Sequence, residues 1–99
     1  MRVRWQKGAR YDLRTIVTYI YEDSPNAARR VYTMIIEDVS RLAEFSEVGR
    51  AGRIAGTREL VISNLPYIVA YRVTDTEVRI LKVMHTSRKW PRKFAEEEN

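Results

Sequence analysis

Basic side chains gather at two places in the C-terminal half of this 99-residue chain, and one of them holds the only histidine. They are Arg50, Arg53 and Arg58 in the first place, and His85, Arg88, Lys89, Arg92 and Lys93 in the second. An imidazole can transfer a proton near neutral pH, and guanidinium groups can stabilise the charge that develops at phosphorus. Together these residue types predict metal-free cleavage of a phosphodiester. The same charges would also bind a polyanion or an acidic protein segment without any reaction.

Four of these residues are candidates for catalysis. We predict that His85 moves the proton and that the phosphate is held by Arg53, Arg58 and Arg88. A second set would contact a macromolecular target: Arg50, Lys89, Trp90, Arg92 and Lys93. A structural interpretation is equally open for His85, which could end a strand and form local hydrogen bonds. Trp90 could stack on a base, although packing in the core is the commoner role for a tryptophan.

The composition argues against several other kinds of site. The chain has no cysteine and a single histidine, so a disulfide and a zinc site built from the usual ligands are excluded. Ser87 follows His85 closely and has no evident acidic partner, which argues against a nucleophilic triad. Gly49 and Gly52 lack the Lys-Ser or Lys-Thr pair and the helix that complete a phosphate-binding loop. We therefore expect no metal and no cofactor.

Length and charge set further bounds. A chain of 99 residues with 44% hydrophobic residues forms one domain with one core. Its net charge of +5 favours anionic partners. No apolar stretch approaches the length of a membrane span, and the N-terminus lacks the apolar run of a signal peptide. We therefore expect a cytoplasmic protein that does not contact a membrane.

Hydrophobic spacing predicts a short strand followed by two helices. Residues 2–5 alternate between polar and apolar types, as a strand with one buried face does. Residues 7–22 then carry apolar side chains at helical spacing, with Asp12 among the polar residues of the opposite side. Ser24 and Pro25 are suited to the N-cap and first position of a second helix. That helix should fray near Phe45, before the two glycines that follow.

The apolar period changes to two after Arg58, which predicts three strands. The strands begin near residue 58, at residue 67 and at residue 78, and the turns between them are too short for a crossover. The three strands are therefore predicted to be antiparallel. The predicted fold is α+β with the order β-α-α-β-β-β, a helical hairpin packed on a small antiparallel sheet. We expect a single domain over residues 1–95 and a loose acidic tail over residues 96–99.

An ordered set of short motifs resembles the RelE/ParE toxin superfamily over nearly the whole chain. The motifs are Ala9…Asp12-Leu13…Ile16…Tyr19-Ile20, Asn26…Ala28-Arg29, Leu42, Gly49-Arg50, Gly56-Thr57-Arg58-Glu59-Leu60, Tyr67-Ile68-Val69-Ala70-Tyr71-Arg72, Ile80-Leu81 and His85…Arg88. The resemblance implies the toxin of a type II toxin–antitoxin module, with a helical hairpin on a small antiparallel sheet. It also implies an antitoxin partner that drapes a helical or extended segment over the toxin.

The resemblance leaves two targets open, because the superfamily contains both RelE-like and ParE-like members. RelE-like toxins cleave mRNA on the ribosome, often with a C-terminal tyrosine or histidine as the acid/base residue. ParE-like toxins inhibit DNA gyrase. In this sequence no tyrosine follows Tyr71, and a histidine near the position of His85 occurs in ParE-like members as well. The long helical hairpin slightly favours the ParE-like function, and the four catalytic roles above apply only to the RelE-like alternative.

The second helix is predicted to carry the antitoxin site. Its apolar face is wider than a hairpin over a small sheet should bury, which predicts an exposed apolar groove. The residues assigned to this groove and its rim are Tyr19, Arg29, Arg30, Tyr32 and Ile36. A disordered antitoxin segment that folds there would cover the apolar residues and pair with the arginines.

Overall fold

The computed structural model describes residues 1–97 and has two helices packed on one face of a five-stranded sheet. The elements are β1 (Arg2–Trp5), α1 (Lys7–Asp23), α2 (Pro25–Ser40), a 3₁₀ turn (Arg41–Ala43), β2 (Arg50–Ala51), β3 (Arg58–Val61), β4 (Tyr67–Val73) and β5 (Glu77–His85). The strand order across the sheet is β1-β5-β4-β3-β2. The predicted α+β fold with a helical hairpin on a sheet is confirmed.

Capping explains where the two helices meet. The Ser24 side chain accepts a hydrogen bond from the Ala27 backbone N–H at 3.1 Å, and Pro25 occupies the first position of α2. The missing N–H of a proline costs nothing at this position, because the first helical N–H groups have no partner within the helix. Ser24 therefore ends α1 and starts α2 with no further linker, as the sequence predicted.

The sheet is mixed, whereas the sequence predicted an antiparallel sheet. The three strands β3, β4 and β5 pair antiparallel as expected. β1 pairs parallel with β5, with Arg2 opposite Glu77 and Trp5 opposite Ile80. No short turn joins β1 to β5, because the helical hairpin and three strands separate them in the chain, so turn length does not fix the direction of this pair. β2 adds a two-residue antiparallel partner to β3.

The two faces of the sheet are covered differently. On the helix side, Ile35 of α2 packs with Val69, Tyr71 and Ile80 of the central strands, all fully buried. On the opposite side, a small cluster contains Ala70, Leu81 and Phe94, with Trp90 and Ile54 packed against it. The chain after β5 therefore returns across the sheet face that the helices leave open. Among residues 1–97 no helix has the length and apolar character that a bilayer crossing requires.

The acidic end of the chain makes specific contacts in its described part. Both carboxylate oxygens of Glu96 accept hydrogen bonds from Arg72, at 2.9 and 2.7 Å. Glu97 accepts from the Lys7 backbone N–H at 2.9 Å and donates its own N–H to the Gln6 side chain at 3.1 Å. These two residues of the predicted loose tail are thus held against the sheet and the start of α1, while residues 98–99 lie outside the described range.

Candidate functional site

The C-terminal strap, which we define as residues 86–97, is anchored to the sheet by two aromatic side chains. Phe94 is buried beside Ala70 and Leu81, and its ring centroid lies 6.0 Å from that of Trp90. Glu96 and its ion pair with Arg72 fix the strap further along. The strap is therefore a packed element with its own contacts to the sheet.

Four cations project from the strap into solvent. Arg88, Lys89, Arg92 and Lys93 are all exposed. Within residues 1–97, none of the four forms an ion pair with a carboxylate. Because Trp90 and Phe94 of the same segment pack against the sheet, the four cations form a ridge on its outer side. This ridge contains three of the residues that the sequence assigned to the target, together with Arg88.

A groove of about 690 Å³ runs between α1 and the strap. Its floor is largely apolar and includes Leu81, Met84, Trp90 and Phe94. Its basic lining consists of Lys82, His85, Arg88, Lys89 and Lys93. Tyr11 of α1, which is largely exposed, lies on the opposite wall. The groove combines an apolar floor with a positive rim, a combination that suits a partner with both apolar and acidic groups.

Asp12 forms the helix side of this groove, a role that the sequence did not indicate. Its carboxylate accepts hydrogen bonds from the Val83 backbone N–H at 3.0 Å and from the Lys82 ammonium at 3.2 Å. β1 pairs only with the first half of β5, so the Val83 N–H has no neighbouring strand on that side. Asp12 therefore supplies the acceptor for the Val83 N–H at this edge of β5 and holds α1 against the strand. Helical periodicity placed Asp12 on the polar side of α1 and could not reveal a contact with the end of a distant strand.

His85 ends β5, and its imidazole is engaged locally. The ring Nδ1 accepts a hydrogen bond from the Ser87 backbone N–H at 3.1 Å and lies 2.8 Å from the Ser87 hydroxyl oxygen. The ring also meets Tyr67 edge-on, with 5.5 Å between the centroids. Within residues 1–97, these contacts leave Nε2 as the ring nitrogen available to a partner.

Arg58 lies on the helix side of the sheet, opposite Tyr71 in the β3–β4 register. One guanidinium nitrogen donates to the carbonyl oxygens of Glu47 and Gly49, at 3.1 and 2.8 Å. The Tyr71 hydroxyl accepts a buried hydrogen bond from the Gly49 N–H at 2.8 Å. Burial raises the pKa of Tyr71, and the Gly49 hydrogen bond and the positive charge of Arg58 oppose that rise. Arg58 therefore secures the loop that precedes β2.

Arg50 and Arg53 lie on the strap side of the sheet and share one buried carboxylate. Arg50 donates to Glu59 Oε1 from two nitrogens, at 3.2 and 3.0 Å. The Arg53 backbone N–H donates to Glu59 Oε2 at 2.8 Å. The Arg53 guanidinium also lies over the Trp90 ring, 4.3 Å from its centroid. The structure thus brings the loop before β3 and the strap together, at Arg53 and Trp90.

The four residues proposed for catalysis do not converge on one point. In the register of the sheet, Arg58 is aligned with Tyr71 of β4 and Ile80 of β5. His85 is aligned with Tyr67, which precedes Tyr71 by four residues along β4. Four residues of strand and two strand spacings place the Cα atoms of Arg58 and His85 roughly 16 Å apart. Arg53 lies on the opposite face of the sheet from Arg58. Of the three arginines, only Arg88 lines the same groove as His85.

A second, more apolar groove of about 450 Å³ lies along the helical hairpin. Tyr32 and Ile36 line it together with Trp5, Leu13 and Val17. The remaining lining residues are Arg10, Arg14 and Thr18, so the basic rim comes from α1.

Only part of the predicted antitoxin set lies along the hairpin groove. Arg29 shares the helix stripe of Tyr32 and Ile36, at a spacing of three and seven residues. Arg30 is rotated by one residue, about 100°, from that stripe. Tyr19 lies on the side of α1 that carries Asp12 and Thr15, which line the other groove. The two arginines of the rim that the sequence missed, Arg10 and Arg14, recur at the i, i+4 spacing of one helix face.

Residues 3–90 match the model of the family described as the ParE toxin of the type II toxin–antitoxin system parDE. The chain belongs to the ParE toxin family, within the RelE/ParE superfamily. It is therefore a type II toxin by family.

Curated relatives carry names from both branches of the superfamily. The chain is 47% identical to Y4kP of Sinorhizobium fredii over 91% of its own length and 93% of the relative's. It is 38% identical to toxin RelE2 of Caulobacter vibrioides, over 88% of this chain and 97% of that one. Toxin ParE2 of Mycobacterium tuberculosis is 27% identical, over 85% of this chain and 80% of the relative. Sequence identity alone therefore does not separate the branches.

The fold recurs among solved structures, two of which superpose on most of this chain. A chain of the chromosomal ParDE system from P. aeruginosa superposes with a TM-score of 0.78 at 27% identity, covering 86% of this chain and 95% of the other. A chain of the RelBE2 toxin–antitoxin complex from Mycobacterium tuberculosis superposes with a TM-score of 0.54 at 30% identity, covering 85% and 95%. At similar identity, the backbone is thus closer to the ParDE chain.

Proposed function

We propose that this protein arrests growth as a ParE-like inhibitor of DNA gyrase and that it meets gyrase through the C-terminal strap. The observation that carries the preference is the separation of His85 from Arg58 and Arg53. Proton transfer and charge stabilisation at one phosphate need all the participating groups within hydrogen-bond reach of it. A binding inhibitor has no such requirement. The higher TM-score with the ParDE chain supports the same choice.

The unpaired cations favour the strap as the surface that contacts the target. The guanidinium groups of Arg50 and Arg58 already hold a carboxylate and backbone carbonyls, at 2.8 to 3.2 Å. The guanidinium of Arg53 lies 3.8 Å from the Glu59 carboxylate. The exposed cations of the strap have no such partners within the described residues. An acidic surface or a phosphate backbone on the gyrase–DNA complex would supply them. Both gyrase and the ribosome lie in the cytoplasm, which is where we place the protein.

The alternative function is ribosome-dependent cleavage of mRNA. The 38% identity with a protein named RelE2 favours it. His85 and Arg88 line one groove and would supply the proton transfer and one positive charge. This alternative needs further cations to come from residues such as Lys82 or Lys89, because Arg58 and Arg53 lie elsewhere.

We also propose that a cognate antitoxin occupies the hairpin groove. The groove exposes Tyr32 and Ile36 beside Arg10 and Arg14, which suits an amphipathic segment with acidic flanks. The two solved structures described above come, by their titles, from systems with an antitoxin. Production of the toxin alone should therefore stop growth, and co-expression of the neighbouring open reading frame should relieve the arrest.

Two assays with the purified protein separate the targets. A gyrase inhibitor should block supercoiling of relaxed plasmid by purified gyrase and induce the DNA-damage response in cells, while mRNA stays intact. A ribosome-dependent nuclease should instead stop protein synthesis within minutes and cut mRNA on purified ribosomes. Adding the antitoxin to each assay is the control, because it should abolish either effect. Cleaved mRNA together with unaffected supercoiling would refute the gyrase proposal.

A further inference from the structure

Glu59 is a buried acid held by two arginines, one of which, Arg53, also contacts the strap. Only 2% of this residue is exposed, and it lies opposite Ala70 on the strap side of the sheet. A carboxylate in such a place is costly unless donors surround it. Here the donors are the guanidinium of Arg50 and the backbone N–H of Arg53, and the Arg53 side chain lies 3.8 Å away.

Arg53 links this carboxylate to the strap. Its backbone and its Nε both face Glu59, so the acid limits where the guanidinium can go. From that position the guanidinium covers the Trp90 ring at 4.3 Å. Trp90 in turn lies between the exposed cations Lys89 and Arg92. An unbroken series of contacts therefore runs from the sheet, through Glu59 and Arg53, to the middle of the cationic ridge.

We propose that Glu59 is a positioning residue for the target surface. It holds Arg53 over Trp90 and thereby fixes the direction in which Lys89 and Arg92 point. The proposal rests on the strap being the surface that contacts the target. It assigns Arg53 an internal function, whereas the sequence suggested direct contact with a phosphate. The benefit is preorganisation, because a ridge that is already ordered loses less conformational entropy on binding.

The test uses Glu59→Gln, Arg53→Ala and the double variant, each in a Trp5→Phe background for fluorescence. Trp5 and Trp90 are the only tryptophans, so emission in that background reports on Trp90 alone. Both single variants should change Trp90 emission and make the strap easier to cleave with trypsin. Each should also weaken growth arrest by about tenfold, the scale of one cation–π contact in an ordered surface. Arg41→Ala and Glu44→Gln, which change the same charges at exposed positions away from the strap, are the matched controls.

The double variant decides between positioning and a general loss of stability. If Glu59 acts through Arg53, the double variant should arrest growth as strongly as Arg53→Ala. Both substitutions then remove the same contact between Arg53 and Trp90, so their effects do not add. Losses that multiply, or a Glu59→Gln variant with unchanged Trp90 emission, would overturn the proposal. Should Glu59→Gln not fold, Arg53→Ala still tests the link, since Arg53 is exposed and its removal leaves the core intact.

The proposed target and the positioning role can fail separately. Growth arrest does not depend on which target is hit, and Trp90 emission needs no target at all. A protein that leaves gyrase unaffected but shows these responses would refute the gyrase proposal and retain the role of Glu59. A protein that inhibits gyrase while Glu59→Gln stays fully active and spectroscopically unchanged would do the opposite.

Discussion

Replacing His85 is the sharpest way to separate binding from catalysis. The imidazole is the only side chain of its kind in the chain, and it lies in the groove beside the strap. His85→Asn removes the imidazole, and its side-chain oxygen could still accept the Ser87 N–H that Nδ1 now accepts. His85→Ala removes both features. The pair of variants therefore distinguishes loss of proton transfer from loss of the local turn.

The structure gives the size of the stability cost. His85→Ala loses an edge-on aromatic contact, about 0.5–1.5 kcal/mol, and an accepted hydrogen bond of similar worth. We therefore expect about 1–3 kcal/mol of destabilisation for His85→Ala, and less for His85→Asn. Thermal unfolding of each variant measures this cost. A loss of that size leaves a folded domain, so both variants remain testable for toxicity.

The gyrase proposal predicts that both variants still arrest growth and inhibit supercoiling within about threefold of the wild type, since no proton moves. Catalysis by His85 would instead cost about 10²–10⁴-fold in rate for either variant. The assay is growth after induction, read beside supercoiling and ribosome-bound mRNA cleavage, with soluble complex formation as the folding control. A well-folded His85→Asn protein that has lost activity by a hundredfold or more would refute the reasoning.

Three further predictions follow from single contacts. Ile36→Glu places a charge in the hairpin groove and should weaken antitoxin binding by about 100-fold in calorimetry, whereas Thr33→Glu on the exposed side should not. The Arg72 hydrogen bonds lower the pKa of Glu96, so Glu96→Gln should destabilise the protein above pH 4.5, and the difference in melting temperature should vanish as the pH falls through the lowered pKa. Equal melting temperatures at pH 7 would contradict this. Tyr71→Phe leaves a buried N–H without its acceptor and should cost about 1–3 kcal/mol in denaturant unfolding.

The sequence predicts what local patterns determine. Both helices, the Ser24 cap and the antiparallel run of β3 to β5 follow from periodicity and short turns. The parallel pairing of β1 with β5 does not, because nothing local relates Arg2 to Glu77. The two-residue β2 is shorter than any periodicity can show. The predicted order of strands along the chain is therefore right apart from β2. The predicted antiparallel pairing is right for β3, β4 and β5, whereas β1 pairs parallel with β5.

The arrangement of the candidate site also depends on contacts between distant parts of the chain, which local sequence patterns do not show. Alternation along a strand says that Arg58 and Glu59 face opposite sides, but not which side the helices cover. Arg53 lies outside regular structure, so its face could not be read from the sequence. Tyr19 and Tyr32 lie on different helices, and whether they share a groove depends on how the helices are rotated against each other. Local sequence patterns therefore could not show that the four catalytic candidates lie apart in the fold.

The basic side chains of the β2–β3 region and those of the strap differ in their partners. In the β2–β3 region, Arg50 and Arg53 pair with Glu59, and Arg58 pairs with Glu47 and with a backbone carbonyl. Their positive charge is therefore largely neutralised within the fold. On the strap, the cations have no acidic partners within the described residues. A formal charge of +5 does not record this division, because a paired and an unpaired arginine count alike. Since an incoming anion gains most from a cation that it need not first detach from an acid, the strap suits an anionic target better than the β2–β3 region does.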